Sequence, residues 1–494
     1  MEIPQLLTDK QVQEFLINGY LVLDPVSLDS NFHSTIFTEV LSIFKTKQNE
    51  HNPGNNILPC IPQLQCVFND PIIKGALQSL LGFNYTMQPH RNAHLTRPGT
   101  KDQLWHKDSY FGYTKPLRHH QLRYIMAMYY PQDTTIDMGP TAIKPRTQYD
   151  VMDPDHPNKT LDNSNSMNDE RNDIYLICKA GTVVLIHYDI VHRRTRNTTE
   201  RSNRFMFKFL FNRVEEPVIP TWNHNPTNDT YDAIDAGILQ PVVKHVWDWM
   251  ICRNVKPTES VSENDVTMWK SQLSNRNGKI RLNAAYNLGL CNEYNVLINR
   301  LYEHEEIFCL EAAYALTACK HDKNVVAKLQ EILKKEENNE RIAYCIAFIL
   351  SEMGQTASDA LPLLINIVQS SDSWLVKQYC CEALGTICSN GQQNIDLVIQ
   401  CLTNILSNQS LDKNNKQADH ARFTAALSLA KIGAMAAQAI PTLKNALYFD
   451  SNRYVIANAL LALERIGTRD TLSIVLDYLK LSRWCPKTTA SSPF

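Results

Sequence analysis

Trp105-His106-Lys107-Asp108 carries the sharpest chemical signal in the chain, because an imidazole and a carboxylate two residues apart on a strand project from one face. One cation can reach both. His-x-Asp alone is common by chance, so it gains weight only with a third ligand elsewhere in the chain. About 84 residues later the apolar run Thr182–Ile186 leads into Ile190-Val191-His192, which offers that ligand from a different strand. Two imidazoles and one carboxylate on one face of an octahedral ion leave three positions open, the donor set of non-haem iron(II) oxygenases. Two of those positions suit a chelating 2-oxo acid, and the third suits O2. The far carboxylate of such a co-substrate needs a cationic fork in a partly buried pocket, which a guanidinium supplies while staying charged. Arg204, twelve residues past His192 and heading the run Phe205-Met206-Phe207-Lys208-Phe209, is the first candidate; Arg201 is the second. His187, a polar residue within the preceding strand, is the alternative to His192. The clusters His90-Arg91-Asn92-Ala93-His94 and Arg118-His119-His120 read as solvated loops or strand faces, with contact to a substrate anion as the alternative. Trp105, Tyr110, Phe111 and Tyr113 read as core, or as the walls of a cleft.

These residues need a β framework, and the sequence provides one. Thr8 and Gln11 have capping-box spacing ahead of Val12, Phe15 and Leu16 at helical intervals; Gly19 stops that helix before the short strand Tyr20–Leu23. Strand-type runs appear at Tyr85–Thr96, Leu122–Tyr130, Ile174–Cys178, Thr182–Tyr188 and Arg204–Phe211, which predicts an antiparallel sandwich or barrel. The polar stretch Asp150–Asn172 predicts a long surface loop. A Pro- and Asn-rich connector, Glu216–Asp232, leads into helices, including the apolar Val242–Ile251 with Trp247 and Trp249, expected to pack between the two halves. From about Ile280 the pattern is a repeat. Leu288, Leu316, Leu350, Leu384, Leu429 and Leu463 recur in Ala-rich helices, with Gly354, Cys388, Gly433 and Gly467 four residues on and Lys320 a weaker match. Their spacing is that of a helical solenoid, and the widest gap holds the polar insert Ser407–Asp419.

At 494 residues the chain calls for two domains. A net charge of −2 with interleaved signs creates no field for nucleic acid or an anionic membrane, so neither is expected as a partner. The start of the chain lacks a secretory pattern and no uninterrupted run of about 18 apolar residues occurs. With cysteines such as Cys380 and Cys381 inside apolar helices, the expectation is a cytoplasmic protein with buried thiols.

Ordered matches across about residues 7 to 211 resemble the phytanoyl-CoA dioxygenase family. Leu7–Phe15 with Gly19–Leu23 is similar to its opening helix and strand, and Pro98-Gly99 through Gln103, Trp105, His106 and Asp108 to its first metal motif. Gly139-Pro140-Thr141 with Pro145-Arg146-Thr147-Gln148 is similar to its central segment, where Pro145–Gln148 departs from the usual Pro-Gly-Ser-His. Gly181 through His192 and Asn197 to Arg204 resembles its second metal and 2-oxoglutarate motif, although Arg194 stands where a Ser is common. Segments such as Ala425–Gly433 look like HEAT repeats of the phycobilisome-lyase type.

The resemblance implies a multidomain protein: a double-stranded β-helix (jelly-roll, cupin-like) oxygenase domain over 1–215, a linker with bridging helices over 216–279, an all-α HEAT-type solenoid over 280–480 and a tail over 481–494. It implies Fe(II) held by His106, Asp108 and His192, and 2-oxoglutarate held by Arg204 or Arg201 with Gln103 and Thr141. O2 is then consumed, succinate and CO2 are released, and ascorbate stimulates. Related halogenases lack the carboxylate, so Asp108 implies hydroxylation, desaturation or a related C–H oxidation of a small organic substrate. Two alternatives stand beside this: an interaction scaffold binding a protein through the repeats, and a protein hydroxylase recruiting its target through them.

Overall fold

Alternation along Arg204–Asn212 sorts that strand into two faces: Phe205, Phe207, Phe209 and Phe211 on one, Arg204, Met206 and Lys208 on the other. The aromatic face is covered by helices. Phe205 meets Phe37 and Phe44 of the helix Ser30–Lys45, and Phe209 and Phe211 meet Phe68 of the helix Leu64–Asn69. Burying each such ring stabilises the fold by about 1.5–3 kcal/mol. The polar face is thereby left to the interior between the sheets.

The computed structural model describes residues 3–45, 53–152, 173–226, 235–253, 261–319, 322–389, 391, 395–408 and 415–481. Its strands are β1 (Tyr20–Leu23), β2 (Thr86–Thr96), β3 (Tyr124–Tyr129), β4 (Thr141–Lys144), β5 (Ile174–Tyr175), β6 (Val183–His187), β7 (Val191–Arg194) and β8 (Arg204–Asn212). They form two antiparallel sheets, one in the order β1-β6-β3-β8-β2 and one in the order β5-β4-β7. Register sets the interior face: Thr96, His94 and Asn92 lie opposite Arg204, Met206 and Lys208, and Met128 lies opposite Lys208 from the other side.

Several sequence expectations change here. The strand expected over Ile174–Cys178 is only Ile174–Tyr175, because the Ile177 amide turns back to bond the Tyr175 carbonyl (2.8 Å) and interrupts the ladder. Strand β4 and the helices between residues 30 and 81 were not anticipated. Thr8 does cap the helix Asp9–Asn18 with Gln11, and Gly19 ends it in the left-handed conformation. Residues 153–172 of the polar stretch, 409–414 of the insert, Lys320 and the tail from 482 lie outside the described residues.

The C-terminal half is helical. The repeat leucines fall one each on Gly278–Leu290, Glu306–Leu316, Glu340–Met353, Trp374–Ile387, Lys416–Ile432 and Arg453–Ile466, and all are fully buried. These inner helices pack each on the next. Gly385 shows how closely: a Cβ there would stand 2.4 Å from Ser428 of the following helix. Among the described residues one apolar stretch, Lys416–Phe449, is long enough to cross a membrane on composition, and 72% of its most apolar window is buried in the fold, as in a core helix. The helix Gln240–Met250 joins the halves: Trp247 meets Trp222 and Trp249 lies against Arg123 and Arg213, while His245 meets Tyr286 and Thr317 of the helical half.

Candidate metal centre

His106 and His192 face each other through their backbones before their rings are considered. The His106 amide donates to the His192 carbonyl (3.1 Å) and the His192 amide to that of His106 (3.0 Å). The expected strand over His106–Asp108 is thus only a single bridge onto β7, and Asp108 sits in loop. This frees it to reach across to the larger sheet. Each imidazole donates Nδ1–H to a carbonyl two residues earlier, His106 to Leu104 (3.0 Å) and His192 to Ile190 (3.1 Å). Such bonds choose the tautomer and leave Nε2 as the free donor atom. His106 Nε2 lies 3.7 Å from Asp108 Oδ1, and His192 Nε2 lies 3.8 Å from Asp108 Oδ2. All three donor atoms fall within 4.8 Å of one another, a spacing one cation can span.

Charge in the centre is set by two further facts. Burial brings His192 down to about 4, so it is neutral and able to ligate near pH 7. For Asp108 burial works upward, but Lys208 and then His192 overcome it and hold the carboxyl far below its ordinary range. Lys208 Nζ donates directly to Asp108 Oδ2. Lys208 was missed in the sequence, although the period of two from Arg204 through Met206 places it on the same face.

On that face Arg204 is 1% exposed, with Nε and Nη2 donating to the Gly139 carbonyl and Nη1 left without a partner among the described residues. Gly139 has φ 75, and a Cβ would come within 2.7 Å of the Thr195 carbonyl, so glycine is required where the guanidinium rests. Burial lowers Arg204 from its ordinary value; of its neighbours Tyr130 pushes the other way and Arg194 adds to the lowering. A buried guanidinium with a vacant nitrogen and no carboxylate among these neighbours fits an incoming carboxylate. Thr96 Oγ1 and Asn92 Oδ1, on the same face, are also buried without partners among the described residues.

The remaining candidates separate. Arg201 is exposed ahead of β8 and is not in this pocket. Thr141 is buried at the start of β4, its Oγ1 accepting from Tyr130 (3.1 Å). Gln103 is exposed, its side chain accepting from the Arg194 amide (3.4 Å). His187 points to the opposite sheet face from Lys208, its Nδ1 accepting from the Asp189 amide. Trp105 is held between Lys144 and Arg193 (4.7 and 4.4 Å). His94 lies near the triad, and burial lowers it to about 3. The expectation that Arg118-His119-His120 is solvated is wrong: His119 and His120 are buried against the helices, because acids and tyrosines there supply the partners water would otherwise give.

Residues 3–205 match the model of the phytanoyl-CoA dioxygenase (PhyH) family, and residues 421–448 match that of the PBS lyase HEAT-like repeat. No curated protein matches the chain. Among solved structures, the non-haem alpha-ketoglutarate-dependent carbocyclase SnoK from nogalamycin biosynthesis is 17% identical with TM-score 0.35, covering 43% of this chain and 88% of its own. EctD from S. alaskensis in its apo form is 16% identical with TM-score 0.34, covering 43% and 80%. HygX from Streptomyces hygroscopicus with nickel and 2-oxoglutarate bound is 14% identical with TM-score 0.33, covering 47% and 95%. At these scores they add no argument to the family match. That match and the converging His-Asp-His set define a non-haem iron, 2-oxoglutarate-dependent oxygenase. The phytanoyl-CoA dioxygenase match covers the sheet-bearing part of the chain, and HEAT-like repeat sequence lies in the helical half.

Proposed function

We propose that the chain oxidises a C–H group of a small organic substrate at an iron(II) ion held by His106, Asp108 and His192, with 2-oxoglutarate anchored by Arg204. One observation carries this: three donor atoms converge from two distant segments while a buried guanidinium, with one nitrogen unpaired among the described residues, waits on the adjoining strand face. Iron in such a site couples O2 to decarboxylation of the 2-oxo acid, giving succinate and CO2 and oxidising the substrate. The chain's own residues do the placing. His106, Asp108 and His192 would hold the ion, since their donor atoms lie within 4.8 Å of one another. Arg204 Nη1 donates to the far carboxylate, and the Thr141 hydroxyl, already accepting from Tyr130, keeps its proton for the same anion. Gln103, tied to Arg194, and the exposed Arg201 are left with outer roles. The site opens to solvent through His106, whose side chain is 29% exposed, so substrate enters on that side.

We read the two sheets as a double-stranded β-helix and the ordered inner helices as a HEAT-type solenoid, with 1–215, 216–279, 280–480 and 481–494 as the divisions. The end of β8 at Asn212 and the start of the first inner helix at Gly278 support those limits. A cytoplasmic setting agrees with buried thiols such as Cys380 and Cys381. The test is turnover: purified protein with Fe(II), ascorbate and O2 should convert 2-oxoglutarate to succinate slowly without substrate, and His106→Ala, Asp108→Ala or His192→Ala should abolish this. A wild-type chain that makes no succinate under any such condition sinks the reading in favour of a scaffold.

A further inference from the structure

Between Asp108 and β3 the chain leaves the sheets and runs along the inner helices, where its backbone finds side-chain partners. The Leu117 amide donates to the Tyr379 hydroxyl and its carbonyl accepts from that hydroxyl (2.9 Å each). The Arg118 amide donates to the Tyr314 hydroxyl (2.6 Å). His120 stacks on the Tyr314 ring, 3.8 Å away and 5° from parallel. Lys115 and His119 meet Glu382 (2.8 and 2.9 Å), while His119 and Arg123 meet Glu352 (3.0 Å each), all deeply buried. Buried charge pairs of this kind add little net stability over apolar packing, and what they add is a defined geometry. The helices therefore dictate where this segment lies.

The same segment returns toward the metal centre at the turn that holds Tyr188 and Asp189. Arg118 pairs with Asp189 Oδ1, and the Tyr110 hydroxyl donates to Asp189 Oδ2 (3.0 Å). Asp189, 1% exposed, sits in the turn between β6 and β7, three residues before His192. Beside it the Tyr188 hydroxyl donates to the carbonyl of Ser109 (2.6 Å), the residue after Asp108. One turn thus ties the arm bearing Asp108 to the arm bearing His192.

We propose that Asp189 is a positioning residue for the metal triad, seated by the inner helices through Arg118 and Tyr314, so that the helical half is part of the active-site scaffold. This rests on the iron reading of the triad. Loop-borne ligands hold a metal only where supporting bonds fix them, and such outer partners typically govern 10- to 100-fold of metal affinity. The inner face of the helices is occupied by the enzyme's own loop, so a protein target cannot dock there without dislodging it.

Anaerobic Co(II) titration of the full chain, read by ligand-field bands and by far-ultraviolet circular dichroism of the same samples, tests this. Tyr110→Phe and Tyr314→Phe each delete one hydroxyl, the first from Asp189 and the second from the Arg118 amide, and neither alters a triad residue. Each is expected to weaken Co(II) binding about 10-fold and to shift the bands with the far-ultraviolet spectrum unchanged; Asp189→Asn is expected to cost on the order of 100-fold. Wild-type affinity and bands in both tyrosine variants overturn the assignment, even if Asp189→Asn fails to fold. Failure of the iron reading looks different, since the wild-type chain would then bind no Co(II) or keep its affinity in His106→Ala.

Discussion

Lys208→Met should tighten metal binding, an unusual direction for a change beside a metal centre. The ammonium donates to Asp108 Oδ2, so a dication entering the triad meets a cation already on one of its ligands. Two routes are open. If Lys208 stays, one and two charges about 5 Å apart at an effective dielectric of about 20 repel by about 7 kcal/mol. If it swings away, one charge-assisted hydrogen bond is lost, about 1.5–3 kcal/mol. The smaller cost governs, and deleting the ammonium removes it, which corresponds to about 10- to 150-fold tighter binding. Methionine preserves the unbranched stem on a face that already carries Met206 and faces Met128, so the change leaves no large cavity. Anaerobic calorimetry of Fe(II) into wild-type and variant protein near neutral pH gives the ratio directly. Equal or weaker binding by the variant refutes the argument and means that Lys208 serves chiefly to aim the Asp108 carboxylate.

Three more outcomes are expected from the same geometry. Arg204→Met should raise the 2-oxoglutarate KM by about 10- to 150-fold while leaving the Fe(II) Kd within about 2-fold, because it deletes the charge-assisted bond to the co-substrate and, besides the bonds to the Gly139 carbonyl, touches no metal ligand; Arg201→Ala should change neither, and the reverse pattern in steady-state kinetics contradicts the placement. Burial would raise the Glu352 carboxyl, but Arg123 and then His119 bring it down to about 2, so its stabilising share is present above about pH 4.5 and is lost as pH falls toward 2. Denaturation midpoints across that range should show Glu352→Gln losing up to about 3 kcal/mol of this acid dependence. A chain ended after Val214 should aggregate on size-exclusion chromatography, since Lys115, His119 and Arg123 lose the glutamates that pair them; a soluble monomer turning over at the wild-type rate speaks against that.

Local pattern in the sequence was enough to bring out all five strands of the larger sheet, the capped first helix, the repeat leucines and the His-x-Asp and His192 segments. Those features are written in periodicity and in residues whose chemistry is conspicuous. It also placed Arg204 at the head of β8, where alternation puts the guanidinium on the polar face. What local pattern could not supply is pairing at a distance. The order of the strands, the His106–His192 bridge, the ion pair from Lys208 to Asp108 and the separation of Arg201 from Arg204 depend on which segments lie side by side. Arg118-His119-His120 shows the limit most sharply. Its composition is that of a solvated loop, and only the fold brings up Tyr314, Glu352 and Glu382, distant in the chain, to replace the water. Burial of a charged segment is decided by its partners, and those partners become visible only when the helices have packed.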